Sequence, residues 1–407
     1  MKKFKFFGMM AVAAMAVSCS SDDVVQQVQE DNAIQFSTYL GNAAQSRGSI
    51  VDNEAIQASG SGFGLFASYS GENNWAATNL MDFMYNQKVE YVGGAWSYTP
   101  IKYWPTNEND KISFFAYAPW DAAGISNFSG NDYAGIPYFT FSIQDNVDEM
   151  VDLVTDTRYN VSHDVTQQAN PQGNIVNFVL RHELTRVTMK AKVDARIVAN
   201  DDAKTQVVVT DIQLKGSASN FYQSGKYTFG VNDETRGTWS DLVVYPNDYP
   251  LANAMAATNN PSFVTLIGQD ATDLEKGIWL ETNKDAISLF GDGDYLFLIP
   301  PKGEEGIFTG FNNNITTGDE MIKAIITYYI VTEDANLAKG YSITKATKEV
   351  SLAGTDVNGA LLKQGVAYAY TFTIGLDEIQ VSATVEDWGD EIGGGSNVEY
   401  VSPDYPA

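Results

Sequence analysis

The sequence carries one cysteine and two histidines in 407 residues, and 25 lysines and arginines against 51 aspartates and glutamates. A single cysteine, Cys19, excludes an internal disulfide and any Cys/His zinc cluster. With His163 and His182 as the only histidines, there is little material for a histidine-based centre. No GxSxG elbow, HExxH helix, Walker A loop or dinucleotide fingerprint occurs. The formal charge is −26, and −29 once the first 18 residues are removed. Such a surface repels nucleic acid and anionic headgroups and favours solubility, so no nucleic-acid partner is expected. The N-terminal apolar run, Phe6 to Val17, is 12 residues long, against the roughly 20 that a spanning helix needs.

What the N-terminus does have is an export signal. Lys2, Lys3 and Lys5 precede the apolar run, and small residues lead through Ala16-Val17-Ser18 into Cys19. That is the form of a cleavable lipoprotein signal. Residues 1–18 are expected to be removed and Cys19 to be acylated, anchoring the chain to the outer membrane. Ser20-Ser21-Asp22-Asp23 begins an acidic tether.

The dominant period in the remainder is two. Val187, Met189, Ala191 and Val193 alternate with polar residues; so do Ile379, Val381, Ala383 and Val385, and Ile34, Phe36, Thr38 and Leu40. This pattern marks strands with one buried face. Strand-like runs also lie at 64–69, 112–117, 138–143, 175–180, 207–214, 295–299, 322–331 and 368–374. Turn clusters such as Gly93-Gly94, Asn312-Asn313-Asn314 and Gly291-Asp292-Gly293-Asp294 separate them. The fold class is all-β, built of sandwiches. The polar stretch Thr157 to Asn174 suggests a boundary between an N-terminal β-sandwich domain, 48–172, and a C-terminal one, 173–388. A tether and first strand occupy 19–47 and a tail occupies 389–407.

Several constellations have two readings. Between Phe83 and Trp120, 11 of 38 residues are aromatic, against 12% in the whole chain. Exposed, these would form a sugar-stacking platform; inward, they fill a sandwich core, and the interleaved alternation favours the core. The exposure of Trp96, Trp104 and Trp120 separates the two. His182 beside Glu183 reads as a structural histidine, and the many acidic residues give glycoside hydrolysis no specific support. The 291–294 cluster lacks EF-hand spacing and reads as a turn. No cofactor or metal is expected. Arg47, in Gln45-Ser46-Arg47-Gly48, reads as a solvated loop arginine or as a site for trypsin-like cleavage.

Taken together, Phe83–Val89, Trp96–Pro105, Ile112–Pro119, Val151–Thr155, Leu180–Val187, Gly365–Ile374 and Val385–Trp388 resemble the fimbrillin family of Bacteroidales type V pili. The resemblance implies two tandem transthyretin-like β-sandwich domains, exported as a lipidated precursor and carrying no catalytic residues. It implies an arginine-specific protease that cuts Arg47–Gly48 and frees a removable first strand carrying Ile34, Phe36 and Leu40. It also implies a C-terminal donor strand, with Val398 and Tyr400, that fills the groove of the next subunit. Pro403 and Pro406 limit pairing by that tail. Expected partners are other fimbrillin subunits, the protease, the outer membrane and ligands on host or bacterial surfaces. A glycan-binding surface lipoprotein is the alternative. The lipid anchor is open to a direct test: Cys19→Ala should move the protein from the membrane fraction to the soluble one, and unchanged membrane retention would refute acylation there.

Overall fold

Alternation becomes paired strands in the computed structural model. It describes residues 32–40, 51–58, 60–163, 174–198, 204–215, 222–244, 249–250, 274, 277–281, 285–291, 294–300, 323–352, 364–376, 378–386 and 400–401. Among these, 22 strands, β1 to β22 in chain order, form four sheets. The chain is all-β, with the short helices α1 (Asn53–Gln57) and α2 (Ala195–Val198).

The first sheet runs in the order β1 (Gln35–Leu40), β9 (Ile175–His182), β8 (Val154–Ser162), β5 (Lys111–Ala118), β2 (Phe63–Gly71), β3 (Met84–Val92), β4 (Ala95–Ser97). Gly93 and Gly94 take φ of +64° and +91° in the β3–β4 turn, the positive values such a tight hairpin requires. After β4 the chain crosses to β1: Ile34 N–H donates to Lys102 O at 2.9 Å and Trp104 N–H to Asn32 O at 3.0 Å. The sheet thus curls until its two edges lie together.

β2 and β5 are buried along almost their whole length because they are packed on both faces. Phe63, Leu65, Ala67, Ile112, Phe114 and Ala116 fill the inside of the curl. Phe66, Phe115 and Tyr117 point the other way, into a second core. There they meet a sheet ordered β13 (Thr238–Val244), β12 (Tyr222–Thr228), β7 (Tyr138–Ser142), β6 (Ile125–Ser126). Tyr117 lies 5.3 Å from Phe139, and Phe139 lies 5.3 Å from Tyr227.

The third sheet is β16 (Ile287–Ser288), β10 (Thr185–Val193), β20 (Ala367–Ile374), β21 (Ile379–Glu386), β22 (Tyr400–Val401), with β17 (Leu296–Leu298) also on β10. The fourth is β14 (Tyr249–Pro250), β11 (Thr205–Lys215), β18 (Lys323–Glu333), β19 (Tyr341–Ser351), with β15 (Ile278–Leu280) on β11. Val187, Met189, Val207, Val209, Ile326 and Phe372 join Phe115 and Tyr117 in one continuous core.

The change of sheet falls after the division expected at 172/173. β9 belongs to the first sheet, and the sheets change only across Glu183 and Leu184, between β9 and β10. The polar residues Thr157 to Ser162, expected in a linker, lie in β8; their polar groups are met by side chains and turns, so polarity there did not mean exposure. The sheet β6-β7-β12-β13 draws strands from both sides of the expected division. Asp292, Gly293 and Asn312 to Asn314 lie outside the described residues.

Gly64 lies so close to the Tyr117 ring that a Cβ there would collide with Cε1 and Cζ. The ring is fixed by its hydroxyl, which donates to Asn86 Oδ1 at 2.6 Å. Gly64→Ala should therefore lower stability by about 1–3 kcal/mol, the usual overpacking penalty, read as a lower urea midpoint. An unchanged midpoint would show that Tyr117 moves freely.

Candidate strand-exchange edge

β1 is the first described strand and lies at one edge of the first sheet. It runs parallel to β9, from Gln35 opposite Ile175 to Leu40 opposite Leu180. A parallel pair cannot be joined by a hairpin, and here most of the first sheet intervenes in sequence. Among the described residues β1 is therefore an edge strand whose one strand partner is β9.

Its inward face follows the alternation. Ile34, Phe36 and Leu40 are buried in the core of the curl, while Tyr39 is 41% exposed. Phe36 is the anchor: its ring lies 5.3 Å from Tyr98, 5.9 Å from Phe178 and 6.0 Å from both Phe63 and Phe114. Tyr98 hydroxyl donates to Ile34 O at 2.9 Å. Thr38 interrupts the apolar face, with a buried hydroxyl that has no hydrogen-bond partner among the described residues.

β9 is held weakly on its other side. Its ladder with β8 has two pairs, Val154–His182 and Thr155–Arg181. Beyond them the Val179 N–H, turned towards β8, donates to the Asp156 carboxylate at 2.8 Å. Asp156 also pairs with Arg158 at 2.9 Å and Arg181 at 3.9 Å. Where β9 ends, three consecutive ionisable residues are buried, each with partners. Arg181 donates to Glu234 O at 2.9 Å and Asp233 O at 2.5 Å. His182 Nδ1 lies 2.6 Å from Asp152 Oδ2. Glu183 accepts from Thr155 Oγ1 at 2.9 Å and from Gln364 Nε2.

The other sequence candidates fall as follows. His163 stacks on Trp104 and bonds Asn174 at 2.7 Å. Trp104 is buried, while Trp96 and Trp120 are half-buried. Trp96 packs against the core inside the curl and Trp120 against the core outside it. The three therefore share no exposed platform, although Tyr85 and Tyr103 of the same block are exposed. Tyr400 lies in β22, opposite Ala383 of β21. Cys19, Arg47, Gly48 and Val398 lie outside the described residues. Sequence reading missed Asp152 and Asp156; the available signal was a carboxylate set within or beside a strand of otherwise buried residues.

The family model described as fimbrillin-like matches residues 50–388. The chain belongs to the fimbrillin-like family. The fimbrium subunit Fim1C of Phocaeicola vulgatus is 26% identical over 405 residues, covering 96% of this chain and 98% of that one. A crystal structure of a fimbrial protein from Bacteroides vulgatus superposes with a TM-score of 0.68 at 26% identity, covering 88% of this chain and 99% of that one. The match spans both cores described above, so the likeness is to the whole molecule.

Burial raises the Asp156 carboxyl from its ordinary value to about 6, against the opposing pull of Arg158, the Val179 N–H and Arg181. A raised carboxyl favours the folded state while protonated. Its contribution is full below about pH 4 and is lost as pH rises through about 6. Asp156→Asn, which keeps an acceptor for Val179 but cannot ionise, should gain on wild type by about 2–3 kcal/mol between pH 4 and pH 7. Parallel denaturation curves at the two pH values check this; a constant difference would refute the shift.

Proposed function

We propose that this fimbrillin-like chain is a subunit of a cell-surface pilus serving adhesion, and that it assembles by strand exchange after proteolysis. The whole-length likeness to fimbrial proteins supports the subunit role. The single observation that carries the exchange step is β1: terminal, at a sheet edge, and parallel to one neighbour.

Energetics make that strand exchangeable. Burying Ile34, Phe36 and Leu40 contributes about 5–9 kcal/mol at roughly 1.5–3 kcal/mol each. Ordering the strand's six backbone residues costs about 6–12 kcal/mol at roughly 1–2 kcal/mol each. The two nearly cancel, and the buried Thr38 hydroxyl weighs against the strand. Ladder bonds and covalent attachment at the strand's C-terminal end hold the rest. A cut at Arg47–Gly48 by an arginine-specific protease removes the attachment. The strand then leaves, and an extended segment of another subunit adds to the β9 edge. The donor on this reading is the C-terminal tail around Val398 and Tyr400. Because Tyr400 and Val401 pair with β21 in the single chain, the tail must first peel from its own edge, where two residues hold it. The lipidated precursor is anchored to the outer membrane through Cys19, and adhesion is to ligands on host or bacterial surfaces.

Trypsin treatment of the purified precursor tests this. Wild type, with the cut after Arg47 and loss of the 32–40 strand confirmed by mass, should form higher-order species in gel filtration. Arg47→Ala should remain monomeric. Wild type that stays monomeric after verified strand loss, with its tail intact, refutes the mechanism.

A further inference from the structure

The two-pair ladder between β8 and β9 ends abruptly, and the turn joining β12 to β13 occupies the space beyond it. Side alternation from Thr155, which pairs with Arg181, turns the Tyr159 amide towards β9. That amide donates to Asp233 Oδ1 at 2.7 Å. Thr157 Oγ1 donates to Asn232 O at 3.0 Å and Tyr159 hydroxyl to Gly230 O at 2.9 Å. From the β9 side, Arg181 reaches the Asp233 and Glu234 carbonyls. One turn thus engages both strands at the point where their own ladder stops.

The turn is built to keep its shape. Asn232 Oδ1 accepts from both Glu234 N–H and Thr235 N–H at 2.9 Å. At Gly230 any Cβ would collide with the Thr235 carbonyl, so only glycine fits.

We propose that the 230–236 turn is a wedge that holds β8 and β9 apart, with Asp233 as its positioning residue, and so keeps β9 available as the template for a separate strand. Continuing the Thr155–Arg181 register would place Thr157 opposite Val179. With Tyr159 bound to Asp233 and Val179 bound to Asp156, that pairing does not form. Val176, Phe178 and Leu180 face the core inside the curl. Were β9 to zip onto β8, it would be drawn away from the space that β1 leaves and from the 102–104 segment on that space's far side, widening the groove. The wedge therefore sets the width of the groove, and with it whether an incoming strand can pair with β9 and still reach the core inside the curl. This rests on the strand-exchange reading for its purpose, though not for its geometry.

Two measurements separate the two. In the intact chain, hydrogen exchange needs no cleavage. Asp233→Ala should speed exchange of the Tyr159 amide at least tenfold and alter that of Val179, whereas Asp233→Asn, which keeps the acceptor, should match wild type. Unchanged exchange at both amides in Asp233→Ala overturns the wedge. In the trypsin-cut chain, freed of β1, a synthetic peptide of residues 32–42 should bind to wild type and Asp233→Asn, and at least tenfold more weakly to Asp233→Ala. Equal binding to all three also overturns the wedge. If exchange responds as expected but no cut chain binds peptide, the wedge stands and strand exchange fails. Melting of the intact variants shows that each has folded.

Discussion

Burying three consecutive ionisable residues, Arg181, His182 and Glu183, constrains everything around the point where the chain passes from its first sheet to its third. Each is expensive to bury unless matched, and each match recruits a different segment. His182 requires Asp152, just ahead of β8; Glu183 requires Thr155 in β8 and Gln364 ahead of β20. Arg181 draws in the β12–β13 turn. Trp239 Nε1 and Arg236 add donors to the Glu183 and His182 carbonyls. Removing one partner would strand a buried charge, so segments far apart in sequence are tied to one crossing. A hydrophobic crossing would pack as tightly without fixing which loops meet there.

That tie leaves β9 with a divided role. Its C-terminal end is locked into the crossing, while its N-terminal two-thirds carries β1 on one side and a carboxylate on the other. Stability is therefore unevenly distributed along one strand. The locked end is held by the buried polar contacts of the crossing, whereas the β1 side packs on the core inside the curl, which Phe36 joins.

Strands were legible where apolar and polar residues alternate in the sequence itself. The runs beginning at Ile34, Ile112, Val187, Val207 and Ile379 each became a strand within two residues of the expected bounds, because alternation is a direct record of one-sided burial. β12 and β19 were not legible: β12 buries Gly225 and Tyr227 among polar neighbours, and β19 shows few buried residues. The stretch expected to hold the boundary was hard to read for a related reason. Thr157 to Ser162 look like a linker in composition, yet Asp156 and Thr157 are buried with partners that sequence does not reveal. Of the edge itself, Ile34, Phe36 and Leu40 were legible as an inward face, whereas the parallel pairing to β9 and the Asp156 contact are long-range facts without a local signature.

The aromatic block shows why its density pointed to packing rather than recognition. β2 and β5 are covered on both faces, so each needs apolar side chains at successive positions, and the sheet curls around one core while forming the wall of another. Large rings meet that demand with few residues: Phe114 and Phe115 are neighbours in sequence yet lie in different cores. Phe36 joins the first of these cores from a strand that nothing else in the sheet needs for its own pairing except β9. A large aromatic core thus takes in one member from an edge strand. On the strand-exchange proposal, a segment that offers an extended backbone and an apolar side chain at the Phe36 position would meet the same rings, Tyr98, Phe114 and Phe178. Specificity on that proposal would be set by register at the Phe36 site, since a one-residue slip would turn every inward side chain out to solvent.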